Sequence, residues 1–267
     1  MTWLGAAFAW QSRAVMGRHL RLYFGDWPIK VLPPALEPVT MLLAFGLGLG
    51  AYMSAIEWRG REVSYLSFVA PGMIAYAAFM TPFFQALFSA FIRMHYQRTW
   101  EGQLTTQIEM PHVVWGEILW AALLGTLYAT VVAVVLALFT LTGLVSFDLL
   151  RLPLVVPLAF VAGCGFASIA LLFTALVPTI DHMNLPIFLV IIPLGFASAT
   201  YFPIQHHLLV AAATLNPLYH LAEGLRGLLL GGPVAYHIAA LLVLSVIAIA
   251  ILVPLDIRLL RKRVLGE

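Results

Sequence analysis

The 267 residues are 62% hydrophobic and only 10% charged, with a mean hydropathy of +0.97. Soluble domains carry about 45–50% apolar and about 25% charged residues, and a water-soluble globule of this composition would expose apolar patches that drive association; the chain is read as an integral membrane protein. A net charge of +2 gives no footing for nucleic acid, and the single cysteine, Cys164, excludes an internal disulfide and a cysteine-ligated metal cluster.

The first predicted element covers residues 3–24. It interleaves Trp3, Leu4, Phe8, Trp10, Val15 and Leu20 with Gln11, Arg13, Arg18, His19 and Arg21, the pattern of a basic amphipathic helix lying in a membrane interface. No basic leader with a short apolar core and a small-residue cleavage site is read there, so no removable signal peptide is expected.

A bilayer core of about 30 Å needs about 20 apolar residues per helix. Six runs qualify, at 31–53, 66–92, 118–143, 152–177, 185–203 and 234–255. Alternating strand patterns separated by turns are missing, which argues against a β-barrel. In the first run Gly46, Gly48 and Gly50 let another helix approach closely, which suits a dimer seam and internal packing alike. In the second, Tyr76, Phe79, Phe83, Phe84 and Phe88 fall on one helical face. That face either lines a substrate path or packs against a neighbouring helix or lipid. Residues 93–117 are too polar to insert, and the helix-compatible piece within them is expected to stop at Pro111. Cys164, inside the fourth run, reads as a packing residue.

The stretch 204–233 holds two apolar pieces, Leu208–Ala213 and Leu218–Leu230, separated by Asn216-Pro217. Each is about half a span, so together they predict a re-entrant helical hairpin lining a cavity or gate; an amphipathic cap with no gating role is the alternative. His206 and His207 read as surface histidines. Glu37 and Asp256 are placed near the ends of the first and last runs, in reach of water.

Six spans put both termini on one side with the loops after spans two and four. That side carries ten of the 14 basic residues, including Arg93, Arg98 and the cluster Arg258 to Arg263. The positive-inside rule makes it the cytoplasm, so the hairpin is external. The fold class predicted is thus an all-α polytopic membrane protein, one domain over 1–267: an interface helix in 1–30, spans one to five in 31–203, the hairpin in 204–233, and span six with a basic tail in 234–267.

Neither lysine can serve a phosphate-binding loop, since Lys30 follows Ile29 and Lys262 follows Arg261 where a glycine is required. Catalytic elbows and zinc-helix motifs are missing too, so the chain is not read as an enzyme. With no ionisable residue placed at mid-span, where an ion-driven carrier needs one, the energy is expected from outside the chain.

Several pieces, in order, resemble the ABC-2 type exporter permeases over nearly the whole chain, especially the branch of the nodulation lipooligosaccharide exporters. They are Leu36-Glu37-Pro38 with Phe45–Gly50, Ala70-Pro71-Gly72-Met73, Gln97-Arg98-Thr99-Trp100-Glu101, Gly116-Glu117, Ala175–Asp181, and above all Asn216-Pro217-Leu218-Tyr219-His220-Leu221-Ala222-Glu223-Gly224-Leu225-Arg226. The resemblance implies a homodimer of six-helix subunits in a bacterial inner membrane, bound to two separate ATPase subunits that hold ATP and Mg2+, with no cofactor in this chain. The implied cargo is a lipid-linked glycan, lipooligosaccharide or other amphiphile, a small hydrophobic drug being the alternative. An ion-coupled carrier or a membrane-embedded enzyme is the reading from another class. In such permeases the loop after span two carries the helix that docks on the ATPase. By that analogy Glu101 to Gln107 form it, Arg98, Trp100, Glu101 and Gln107 make contacts, and Asp181 adds a smaller one beside His182. Tyr76, Phe79, Phe83, Phe84, Phe88, Asn216 and Pro217 are the candidates for the path and its gate.

Overall fold

The computed structural model describes residues 3–53 and 55–266. The side chains of residues 33–35, 37, 38, 46, 47 and 51 are outside that description, so the expectations on Glu37 and on a Gly46 contact face fall outside the described residues. Helix dominates, as it must where no water is present to satisfy a backbone amide. Two short helices come first, α1 (Trp3–Phe8) and α2 (Trp10–Phe24), then α3 (Trp27–Leu42), which continues through a wide five-residue-type turn at Leu43–Gly48 and a tight one at Leu49–Ala51.

Four helices among the described residues are long and apolar enough to cross a membrane: α4 (Tyr65–Tyr96), α6 (Met110–Leu141), α7 (Leu149–Leu176) and α11 (Ala235–Leu265). They match the second, third, fourth and sixth predicted runs. The third helix starts eight residues earlier than its apolar run because Pro111 opens it. A proline in the first turn forfeits an N–H that has no intrahelical partner anyway, and Glu109 and His112 exchange side-chain and backbone hydrogen bonds across that turn. The expectation that Pro111 stops the preceding segment is therefore corrected. That segment, α5 (Thr99–Leu104), ends where Thr105 and Thr106 donate their hydroxyls back to the carbonyls of Gly102 and Gln103, at 2.8 and 2.7 Å.

The fifth predicted run is a shorter apolar helix, α8 (Ile180–Phe196). It stops seven residues before the predicted end, where Ala199 takes a left-handed φ of 53°. The freed carbonyls of Leu194 and Ala197 accept from the Asn216 amide at 2.8 and 2.9 Å. Two further helices follow, α9 (His207–Ala213) and α10 (Pro217–Leu230), and the Asn-Pro break between them is as predicted: Asn216 caps α10 by accepting from the Leu218 N–H, and Pro217 occupies its first position. The helices α4, α6 and α7 pack together, α11 covers α7, and α10 is lodged between α4 and α11.

One feature of the described residues is absent from the sequence reading. Strands β1 (Ile56–Trp58) and β2 (Arg61–Val63) form a hairpin, Ile56 opposite Val63 and Trp58 opposite Arg61. Arg59 and Gly60, both at positive φ, make its two-residue turn, the geometry that matches strand twist. Its signal was present in the alternation Ile56-Glu57-Trp58 before Arg59-Gly60.

Candidate functional site

Two buried polar centres sit near opposite ends of the bundle; α4 carries Phe68 at one and Arg93 at the other, about 38 Å apart along a helix rising 1.5 Å per residue. At the basic end the Glu117 carboxylate is completely buried. Arg93, from the end of α4, donates Nε–H to Glu117 Oε1 at 3.0 Å and Nη2–H to Oε2. The Trp100 indole, from α5, donates to Oε1 at 3.0 Å, and His19 of α2 brings Nε2 within 3.2 Å of the same oxygen. One carboxylate thus joins four segments. Its neighbour Gly116 is required for this: a Cβ there would overlap Val15 of α2 well inside contact distance. On the same end Arg263 of α11 donates to the carbonyls of Thr174, Ala175, Val177 and Pro178, closing the C-terminus of α7.

At the hairpin end Arg226 of α10 is fully buried. It donates to the Phe68 carbonyl at 2.8 Å, to Glu223, and to the carbonyls of Ala199 and Thr200, and its guanidinium lies 3.9 Å from the centre of the Phe68 ring. Gly72 makes room: a Cβ there would stand 2.6 Å from the Thr200 carbonyl oxygen. Glu223 also accepts from the Trp58 indole at 3.0 Å, with Arg59 at 3.5 Å. Burial alone would raise the Glu223 carboxyl, but the charge of Arg226, the indole N–H and Arg59 outweigh it and hold the group below the usual range. A relay runs beside it. His220 Nε2 lies 2.9 Å from the Thr214 carbonyl, which only accepts, so that nitrogen carries the proton. His220 Nδ1 then accepts from His237 Nδ1–H at 3.1 Å, and His237 Nε2 accepts from Arg59 at 2.7 Å.

Comparison with known proteins matches the ABC-2 type transporter family over residues 11–230. The chain belongs to that family. The curated relatives include several proteins named Nodulation protein J. That of Sinorhizobium fredii (strain NBRC 101917 / NGR234) is 32% identical over 96% of this chain and 95% of its own length. That of Rhizobium leguminosarum bv. trifolii is 36% identical over 90% of each chain, and that of Rhizobium meliloti (strain 1021) 32% identical over 97% and 96%. As an ABC-2 permease the chain is a membrane-spanning transport subunit that works with an ATP-binding subunit and has no ATPase site of its own.

In this ABC-2 permease the residues singled out for coupling divide sharply. Arg98, Glu101, Gln107 and Asp181 are all exposed. Arg98 and Glu101 share a cleft of about 190 Å³ with Arg263, and Asp181 follows closely on Pro178, whose carbonyl Arg263 holds. Trp100 is different: it is wholly buried and its N–H is taken by Glu117. A contact offered to a partner's surface is corrected to an anchor that holds α5 from within. The aromatic face of α4 is also split. Phe79 and Phe83 are buried, Phe79 against Phe166 of α7 at 4.8 Å; Phe84 and Phe88 stack at 5.5 Å and are half-buried; Tyr76 meets Tyr201 at 6.1 Å. Two of the five rings are therefore core, leaving Tyr76, Phe84 and Phe88 as path candidates.

The placing of Asp256 in reach of water, and of Glu117 ahead of the third run, is corrected as well. Because α6 begins at Met110 and α11 runs to Leu265, Glu117 and Asp256 both lie inside candidate spanning helices and are buried rather than hydrated. Glu117 is fully partnered, whereas neither Asp256 oxygen has a hydrogen-bond partner among the described residues. The residues missed by sequence reading, Trp58, Arg59, Arg93 and Glu117, bond to groups far off in the chain.

Proposed function

We propose that this permease moves a bulky amphiphile, a lipid-linked glycan or lipooligosaccharide, outward across a bacterial inner membrane, driven by two copies of an ATPase subunit that hold the ATP and Mg2+. In this reading Trp27–Ala51 and α8 add two crossings to the four long helices, 1–267 is one transmembrane domain, and both termini are cytoplasmic. The pair α9–α10 re-enters from outside, and two copies of the chain flank the path. The similarity to nodulation proteins supports the glycan over a small hydrophobic drug as cargo. Gly48, whose missing side chain would meet nothing within 4 Å, and the exposed Leu185, Phe188, Leu189 and Phe196 of α8 support a seam with a second copy.

The observation that carries the reading is the construction of the loop 97–109. Its outer residues Arg98, Glu101 and Gln107 are exposed, while its inner residue Trp100 is tied through Glu117 to α2, α4 and α6. A load applied to α5 is delivered to three other helices. Charge reversal at the surface, Arg98→Glu with Glu101→Lys, is expected to leave folding unchanged and to weaken capture of the cognate ATP-binding subunit about tenfold, or about 1.4 kcal/mol. Cargo-stimulated ATP hydrolysis in nanodiscs should fall with it. Wild-type capture and stimulation would place the coupling surface elsewhere.

For the hairpin, Asn216→Ala with Pro217→Ala removes an N-cap worth about 1 kcal/mol and uncaps Leu194 and Ala197 in α8. Export is expected to drop while ATPase capture stays at the wild-type level; intact export would reduce α9–α10 to a cap. Asp256 supplies the one observation favouring an ion-coupled carrier. Export from proteoliposomes that ran on a proton gradient without ATP would select that reading.

A further inference from the structure

Of the residues lining the groove between α2, α4 and α6, that reading uses only His19 and Arg93. The groove encloses about 540 Å³, within the range of about 300–1,000 Å³ usual for small-ligand sites. Arg18, Lys30 and Arg93 line it, and no carboxylate does. The acidic groups nearby are accounted for. Glu117 lies behind Arg93 and offsets that one charge. Asp26 is 3.5 Å from the Lys30 ammonium but well exposed, where an ion pair is worth little. Arg18, half-buried on α2, makes no hydrogen bond or ion pair among the described residues.

The opposite wall is formed where α4 departs from regular pitch. Gln85 and Ser89 belong to one wide π-type turn, and Arg93 to a second at Ile92–Tyr96; such turns gather at functional sites because they re-aim side chains. Lys30 is fixed in place, donating to the Leu22 carbonyl at 2.6 Å, while its own carbonyl accepts from Tyr128, whose hydroxyl is paired with that of Tyr23. Read as an amphipathic interface helix, α2 would set the mouth of the groove at the depth of lipid phosphates.

We propose that this groove seats the phosphate headgroup of an anionic membrane lipid, with Arg18 and Lys30 as its charge contacts and Gln85 and Ser89 as hydrogen-bond partners. The site would fix α2 against the bundle by a molecule of lipid. The test is independent of ATPase and cargo. The full-length permease in mild detergent is titrated with phosphatidylglycerol, with phosphatidylcholine and with inorganic phosphate, and bound lipid per chain is read by native mass spectrometry.

One phosphatidylglycerol per chain is expected to persist, unaffected by phosphatidylcholine or by millimolar phosphate. Each basic residue near a lipid surface contributes about 1 kcal/mol, so Arg18→Gln should weaken retention about fivefold and Arg18→Gln with Lys30→Gln about 30-fold. Arg261→Gln with Lys262→Gln, exposed on the tail of α11, should leave it unchanged. The single Arg18 variant carries the test if the double variant fails to fold. Retention unaltered in the Arg18 variant, or an equal loss in the tail variant, would overturn the site. Displacement by inorganic phosphate would overturn the lipid as its ligand.

Discussion

Glu117→Ala is expected to destabilise the permease by about 3–5 kcal/mol, the usual cost of removing one partner of a buried ion pair. The size follows from what is left behind. Arg93 keeps its charge with a side chain only 13% exposed, and the indole of a completely buried Trp100 loses its acceptor. The α5 loop should then loosen, which can be read directly, because Arg98 is exposed and held at a left-handed φ of 50°. Limited trypsin digestion should cut at Arg98 much faster in the variant, and the unfolding midpoint in detergent should fall by several degrees. Glu117→Gln retains one acceptor oxygen and should fall between the two. A trypsin pattern and midpoint identical to wild type in Glu117→Ala would show that the four segments are held by packing alone.

Arg226→Lys tests the other centre and should be nearly as damaging, although it conserves charge. A guanidinium reaches Glu223 and three carbonyls at once from fixed directions, which an ammonium cannot do. Buried carbonyls of Ala199 and Thr200 would be left unpaired, at about 1–3 kcal/mol each. In a Cys164→Ala background, Thr200→Cys should be inert to a membrane-impermeant maleimide and become reactive when Arg226→Lys is added. Equal labelling in both would overturn the assignment. Acid should act on the same centre. Glu223 is held below the ordinary carboxylate pKa, so its contribution is complete at pH values above about 4.3. It is lost only as the pH falls through the lower folded value, so mild acidification should leave the docking of the β-hairpin intact.

Much of this architecture is legible in hydropathy, because a spanning helix is a local property. A run of about 20 apolar residues announces itself without its neighbours, and Asn216-Pro217 declares a helix start by local chemistry alone. What escaped is what depends on distant partners. Trp58 bonds to Glu223, 165 residues away, and nothing near Trp58 indicates it. Trp100 looked like an exposed anchor because its surroundings in sequence are polar; its burial is decided by Glu117, which the apolar run at 118–143 left just outside the span. Asp256 was placed in water for the same reason, since the run ends at 255 while the helix continues to Leu265.

The grip of Arg263 on four carbonyls around the end of α7 has a mechanical consequence. It rivets the last turn of α7 to the last turn of α11, so those two cannot slide independently at that end. The link from α7 to α8 is the three residues 177–179, with Val177 and Thr179 in extended backbone at ψ of 122° and 163°, and element-terminal residues of this kind are where domains absorb rotation. Any swing of α8 relative to the riveted pair therefore has its axle within three residues, and stiffening that axle would stop the motion without touching either helix.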